Sequence, residues 1–209
     1  MKFRPCIDIH NGQVKQIVGG SLLDAGDYAK ENFVSDKDGG YYASLYKNNN
    51  LKGGHIILLN PTTSEYYEAD VTQAKKTLAS YPQGLMLGGG INNENATRFL
   101  EYGASHVIVT SFVFKNGEIR FDNLDKIVSE TGKEHLVLDL SCRKKEDGYY
   151  IVTDRWQKFT NVKVTPQLMN ELSSYCDEYL IHAVDVEKVG VSPFLIVVTT
   201  VAIIFSSSH

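Results

Sequence analysis

The sequence predicts an α/β protein with a parallel sheet, an incomplete (β/α)8 (TIM) barrel of about six βα units. Three observations lead there. Short, continuous apolar runs alternate with stretches at helical spacing, as strands buried on both faces alternate with covering helices. An apolar run ending in an acid, Cys6-Ile7-Asp8, returns 131 residues later as Leu136-Val137-Leu138-Asp139, which suggests a doubled architecture with two facing carboxylates. The length of 209 residues, 43% hydrophobic and 22% charged, suffices for a full core in one domain, or at most two.

Each element has its own signal. Cys6 to His10 suits a strand, and Asn11-Gly12 is a strong turn that passes the chain to Gln13-Val14-Lys15-Gln16-Ile17-Val18, an alternating strand of a small hairpin. Residues 21–36 show no period and read as a long loop. Tyr42, Leu45 and Tyr46 have helical spacing before Asn48-Asn49-Asn50. His55 to Asn60 is a buried strand, and Glu65 to Ser80 a helix with Ala69, Ala74, Leu78 and Ala79 for an inner face. Gly84 to Gly90 is a strand ending in three glycines. Asn92 or Asn93 caps the next helix, with Ala96, Phe99 and Leu100 inward and Gly103 closing it. His106 to Ser111 is a strand, about Leu124 to Thr131 a helix, and Leu136 to Asp139 the next strand. Arg143 to Gly148 is a polar turn with Tyr149-Tyr150-Ile151-Val152 as the return, mirroring the hairpin after Asp8. Thr165-Pro166 opens a helix striped by Leu168, Leu172 and Tyr175, and Tyr179 to Asp185 is the sixth buried strand.

The pattern then breaks. Val191 to Phe205 is almost wholly apolar and β-branched, without amphipathic spacing and shorter than the ~20 residues of a membrane span. A genuine strand, a membrane tail and a foreign terminus were weighed, and the last is expected: a partial barrel over residues 1–187 with an unrelated tail at 188–209. An open barrel of that kind exposes two sheet edges. The net charge of −4 gives no reason to expect nucleic acid as a partner. Three cysteines without CxxC spacing argue for a reducing compartment, and Met1 to Pro5 runs into the first strand with no signal peptide.

Active sites of such folds sit at the C-terminal strand ends. Asp8, Asn60, Gly88, Gly89, Gly90, Thr110, Ser111, Asp139, His182 and Asp185 fall there. Asp8 and Asp139, on the first and fifth strands, are placed to act as one acid and one base; the alternative is that each merely caps a turn. Gly88-Gly89-Gly90-Ile91-Asn92 leads into a helix start and could cradle a phosphate, with Thr110 and Ser111 supplying hydroxyls. Glycine-rich turns also occur without ligands. The internal repeat places a second such site beyond residue 209. Trp156 is either core or a lid stacking on a flat ring, Cys6 is core, and neither His10 nor His182 has metal spacing.

Four blocks carry a resemblance in order: Arg4 to Lys15, Gly88 to Asn92, Val137 to Lys144 and Leu180 to Glu187. Together they closely resemble the eukaryotic branch of the histidine-biosynthesis isomerases that act on phosphoribosylformimino-5-aminoimidazole carboxamide ribotide, from about Met1 to Glu187. The resemblance implies a (β/α)8 barrel of two half-barrels and an Amadori rearrangement of an aminoaldose to an aminoketose. By similarity, Asp8 is the base at the ribose C2 and Asp139 the acid at the ring oxygen. Gly89, Gly90, Thr110 and Ser111 hold one phosphate, Trp156 covers the imidazole carboxamide, and Arg143 lies near the ligand; Asp185 is counted with the substrate-binding residues. No metal or organic cofactor is implied. The partner is a small-molecule, bisphosphorylated substrate, with no nucleic acid and no membrane, and the chain is expected to be a cytoplasmic monomer, or plastidic if an upstream transit peptide is missing. Two departures stand out. Asn92 replaces the arginine of bacterial relatives, and nothing after Glu187 fits, so strands seven and eight and their phosphate loop are absent. Both acids are kept, yet little or no activity is expected, because a lost anchor removes binding energy that positions the reacting carbon. An inactive or unstable fragment and a phosphosugar-binding module are the competing classes.

Overall fold

The computed structural model describes residues 3–17, 31–153 and 158–182, together with a strand at 203–206. The chain divides into two compact units, one of Met1–Gly90 with Arg98–Val107, the other of Ile91–Thr97 with Ile108–His209.

In the first unit β1 (Cys6–His10) and β2 (Gln13–Ile17) form an antiparallel hairpin in which His10 pairs with Gln13. Asn11 at φ 52° and Gly12 at φ 71° both take the left-handed backbone of a two-residue turn, for which Asn-Gly is the preferred pair. A third strand, β3 (Glu31–Val34), pairs antiparallel with β2, so the expected loop over 21–36 is corrected at its end. The strand was hidden because Phe33 and Val34 stay exposed, which removes the burial alternation that marks a strand in sequence. Residues 18–30 lie outside the described chain.

Asp38 caps α1 (Gly39–Asn48), its carboxylate accepting from the Tyr41 N–H at 2.9 Å. Next, β4 (Gly54–Leu58) runs parallel to β1 and sets Ile57 opposite Asp8. Helix α2 (Tyr67–Ser80) buries Tyr67, Asp70, Val71, Ala74, Thr77 and Leu78. Ala69 and Ala79, expected inside, face solvent, and the buried Asp70 and Thr77 take the stripe instead. β5 (Leu85–Gly88) continues the parallel sheet beside β4. Helix α3 (Ala96–Glu101) ends at Gly103, φ 105°, where Ala104 N–H donates to Phe99 O at 3.1 Å and Gly103 N–H to Leu100 O at 2.9 Å, a Schellman closure. The paired strands of this unit follow the order β3-β2-β1-β4-β5, and β6 (Val107–Val109) comes next in the chain. Ile7, Ile9, Ile56, Leu58, Leu85, Leu87 and Phe99 form the core.

The second unit opens with a hairpin of β7 (Phe114–Lys115) and β8 (Glu118–Ile119) around Asn116 at φ 57° and Gly117 at φ 85°. Its strands are two residues long, too short for any periodicity, though the Asn-Gly signal stood in the sequence. Helix α4 (Phe121–Thr131) begins one turn earlier than its spacing suggested and leads through a 3-10 turn at Lys133–His135 to β9 (Leu136–Asp139). After it, β10 (Cys142–Lys145), β11 (Gly148–Thr153) and β12 (Lys158–Lys163) form an antiparallel sheet, so the expected hairpin gains a third strand. Thr165 caps α5 (Pro166–Leu172) by accepting from Leu168 N–H at 3.2 Å. β13 (Glu178–Ile181) pairs parallel with β9, Leu180 opposite Asp139. β14 (Ile203–Ser206) pairs antiparallel with all four residues of β13. The edge of β13 expected to be bare is therefore covered. The expected boundary at residue 187 lies outside the described residues.

Leu87 is fully buried in the middle of β5. Truncation by Leu87→Ala should lower unfolding free energy by about 2–5 kcal/mol, read as a shift of the urea midpoint with an unchanged slope.

Candidate active site

Strand alternation decides what β1 offers to chemistry. Ile7 and Ile9 point into the core, so Cys6, Asp8 and His10 share the opposite face. The Cys6 thiol donates to Asp8 Oδ1 at 2.9 Å. Burial, with the Asp8 charge behind it, pushes the Cys6 thiol well above its ordinary range, which keeps the proton on sulfur and the donor in place. Cys6 is thus a half-buried neighbour of the acid and not simply core. The Tyr46 hydroxyl reaches the Cys6 carbonyl at 3.5 Å from α1.

The turn after β1 is held from two sides. Asn11 N–H donates to Asn60 Oδ1 at 2.7 Å, and Asn60 Nδ2 returns a bond to Asn11 Oδ1 at 2.8 Å. Gly12 N–H donates to Asp70 Oδ1 at 2.7 Å, while Asp70 Oδ2 accepts from Asn60 N–H at 3.4 Å. One buried carboxylate on α2 therefore ties the β1 turn to the residue just beyond β4. Sequence periodicity named Asn60 as a strand-end residue but passed over Asp70. The signal was an acid falling on the same helix stripe as Tyr67, Val71, Ala74 and Leu78.

The glycine turn is shaped by its surroundings. Gly89 has φ 103° and Gly90 φ 68°. A Cβ on Gly89 would collide with the backbone of Leu58, and one on Gly90 would press the Thr62 methyl. In the second unit, Asn92 Oδ1 accepts from Glu94 N–H at 2.8 Å and Asn95 N–H at 3.2 Å, and Asn95 Oδ1 accepts from Asn92 N–H at 2.9 Å. The expected cap is Asn92, in a reciprocal pair with Asn95.

Asp139 ends β9 among donors of its own unit. Thr110 Oγ1 donates to Oδ2 at 2.9 Å, and Ser141 donates to Oδ1 through its N–H at 2.7 Å and its hydroxyl at 2.6 Å. Pairing between β9 and β13 continues past the strands, with Cys142 N–H donating to His182 O at 2.8 Å. Burial raises the Asp139 pKa; the Ser141 and Thr110 bonds and the charge of His182 pull the other way without cancelling it. Such a carboxyl holds its proton to higher pH than an ordinary aspartate, as a general acid requires. Thr110, expected to serve a phosphate, here spends its hydroxyl proton on Asp139. Ser111 next to it is exposed. Ser141 had no sequence signal as a partner of the acid.

Arg143 sits on β10 with its guanidinium 5.5 Å from the Phe159 ring of the same small sheet, and the Lys145 ammonium lies 4.8 Å from that ring and 4.3 Å from Tyr150. Trp156 and Asp185 lie outside the described residues. Asp8 belongs to the first unit, and Asp139 to the second.

The family model of histidine biosynthesis proteins matches residues 2–192. A chloroplastic 1-(5-phosphoribosyl)-5-((5-phosphoribosylamino)methylideneamino)imidazole-4-carboxamide isomerase of Medicago truncatula is 50% identical over 202 residues, covering 94% of this chain and 63% of the relative. Isomerases of the same name from Yarrowia lipolytica and Saccharomyces cerevisiae are 46% and 44% identical, each match covering 89% of this chain and 69% of the relative. The chain thus spans about two thirds of the length of these curated relatives.

The Thr110 bond favours the ionised form of Asp139. Thr110→Val should move the midpoint of the Asp139 carboxyl-carbon titration, followed by 13C NMR, to higher pH.

Proposed function

The chain belongs to the histidine biosynthesis protein family, a family of (β/α)8 barrels, and on that premise we propose that it isomerises the aminoaldose for which its relatives are named to the aminoketose. The observation that carries the reading is Asp139: a carboxyl at a strand end, raised by burial and aimed by Thr110 and Ser141. It delivers its proton to the ribose ring oxygen, the C1–O bond breaks, and the amine lone pair forms the C1=N bond of an iminium. Asp8, with the Cys6 thiol against one oxygen, takes the proton from C2, and the C2–H electron pair makes the enaminol. Return of that proton from Asp8 to C1, with loss of the C2 hydroxyl proton to restore the one Asp139 gave up, leaves the ketone at C2. Residues 1–187 carry the residues assigned to catalysis, and β14 from the tail at 188–209 adds a strand beside β13.

Binding follows from the same residues. Gly89 and Gly90 present backbone to one phosphate of the substrate, and the exposed Ser111 is assigned to the same phosphate, while Thr110 keeps its hydroxyl proton on Asp139. The positive φ of both glycines supports this, since it lets main chain approach where a side chain could not. Trp156 covers the imidazole carboxamide, Arg143 lies near the ligand, and Asp185 counts among the substrate-binding residues. The cationic and aromatic surface of β10 to β12 suits a planar, anionic ligand. The chain works as a monomer in the cytoplasm, or in a plastid like the chloroplastic relative from Medicago truncatula. No helix among the described residues is long and apolar enough to cross a membrane.

Complementation of a histidine auxotroph lacking this isomerase tests the reading. Slow growth above the uncomplemented control is expected, in keeping with the low activity foreseen from the sequence, and a purified chain that binds the phosphosugar but leaves it unconverted makes the protein a binding module instead. Asp8→Asn and Asp139→Asn should each lower kcat by about 10²–10⁴-fold, the usual share of general acid–base catalysis.

The pH profile has a definite sign. Asp139 must be protonated to act, and its pKa is raised, so activity persists above the ordinary carboxylate range and falls as pH passes through the raised value. Thr110→Val, by removing a bond to the ionised form, should carry that falling limb to higher pH in a kcat–pH titration.

A further inference from the structure

We propose that Asp70 is a positioning residue for the Asp8 site: it pins the turn behind β1 and loosens that turn when it takes up a proton. The inference concerns the same site and rests on the isomerase reading only for its catalytic consequence.

The geometry is that of a clamp. Asp70 has no exposed surface. Its two oxygens accept from backbone N–H groups of two separate segments, Gly12 at 2.7 Å and Asn60 at 3.4 Å. One turn along the same helix, Gln73 Nε2 donates to the Gly12 carbonyl at 3.2 Å, so α2 holds both backbone polar groups of Gly12. Asn60 in turn holds the Asn11 N–H. The pinned pair, Asn11 and Gly12, has left-handed backbone that must be kept in place by its surroundings, and it follows Asp8 after only two residues.

A purely structural clamp would not need a charge, because an ionised carboxylate without water is expensive to bury. The groups facing Asp70 oppose one another. Burial pushes its pKa up to about 6, while the Gly12 and Asn60 N–H groups and the charges of His10 on β1 and Lys15 on β2 hold it down. Protonation turns one acceptor oxygen into a donor, and one of the two N–H groups then loses its partner. The sign for stability is the reverse of that for the turn. The folded chain binds this proton more tightly than the unfolded chain, so the contribution of the neutral form to stability is present at low pH and lost as pH rises through about 6. At neutral pH the fold carries a buried charge that keeps the turn fixed.

The test uses the full chain, labelled with 15N and 13C. The Gly12 amide should titrate with a midpoint near the value of about 6 given by the surroundings of Asp70. The inflection should vanish in Asp70→Asn and persist in Asp70→Glu. In Asp70→Asn the Asp8 carboxyl-carbon resonance should move as well, and kcat should fall by about 10²-fold with KM changed far less, as misplacement of a catalytic group does. A Gly12 amide that does not titrate in the wild-type chain overturns the proposal, even if Asp70→Asn fails to fold. So does an inflection that survives in folded Asp70→Asn, which assigns it to a group other than Asp70, and so does an unmoved Asp8 resonance. A wild-type chain that shows the Gly12 and Asp8 responses but turns over no substrate overturns the isomerase reading and leaves the clamp standing.

Discussion

A carboxylate taken out of water has to find donors, and in this protein that requirement organises the ends of the strands. Asp8 accepts from a thiol two residues back on its own strand. Asp139 accepts from Ser141 two residues ahead and from Thr110 beyond the end of β6. Asp70 accepts from the main chain of two different segments. The donor sets differ in kind, and so do the consequences. A protonated thiol offers one adjustable bond, hydroxyls and an amide define an orientation, and two backbone N–H groups join pieces of the fold. Loss of any one set leaves a desolvated oxygen, so these contacts hold the local structure as firmly as the apolar core does.

The two units solve one problem twice. Each places an acid on a strand paired in parallel with a neighbour, Asp8 midway along β1 and Asp139 at the end of β9, where the sequence pattern puts both at strand ends; each unit then turns into an antiparallel excursion, β2 and β3 after β1 and β10 to β12 after β9. A strand end followed at once by a hairpin exposes the acid to one side while the hairpin limits its access to water. The same plan carries different surroundings: Asn-Gly in the first unit pins the hairpin tightly, and the second spreads cations over aromatic rings.

What could be read from the residues follows from the range of each interaction. The six buried strands declared themselves because continuous apolar runs have few other uses, and Asp8 and Asp139 because an acid breaking such a run is conspicuous. Thr165-Pro166 and Asn92 announced helix starts through local chemistry that needs no tertiary context. Strands β3, β7 and β8 were illegible because they are short, and β12 because it is mostly polar with Phe159 exposed; only pairing makes them strands. The partners of the acids were illegible for another reason. Thr110 lies 29 residues from Asp139 and Asp70 lies 58 from Gly12, and hydrogen bonds over such distances leave no period in the chain. Thr110 illustrates the gap best: its place at a strand end was plain, but whether its hydroxyl served a ligand or a neighbouring side chain depended on the fold.

Gly89 carries one further implication. Its dihedral angle and the Leu58 main chain beside it together dictate the course of the turn, with no side chain involved. Conformational entropy has therefore already been surrendered there during folding. A molecule that settles against this stretch meets rigid peptide planes, and its affinity is not diminished by having to freeze them.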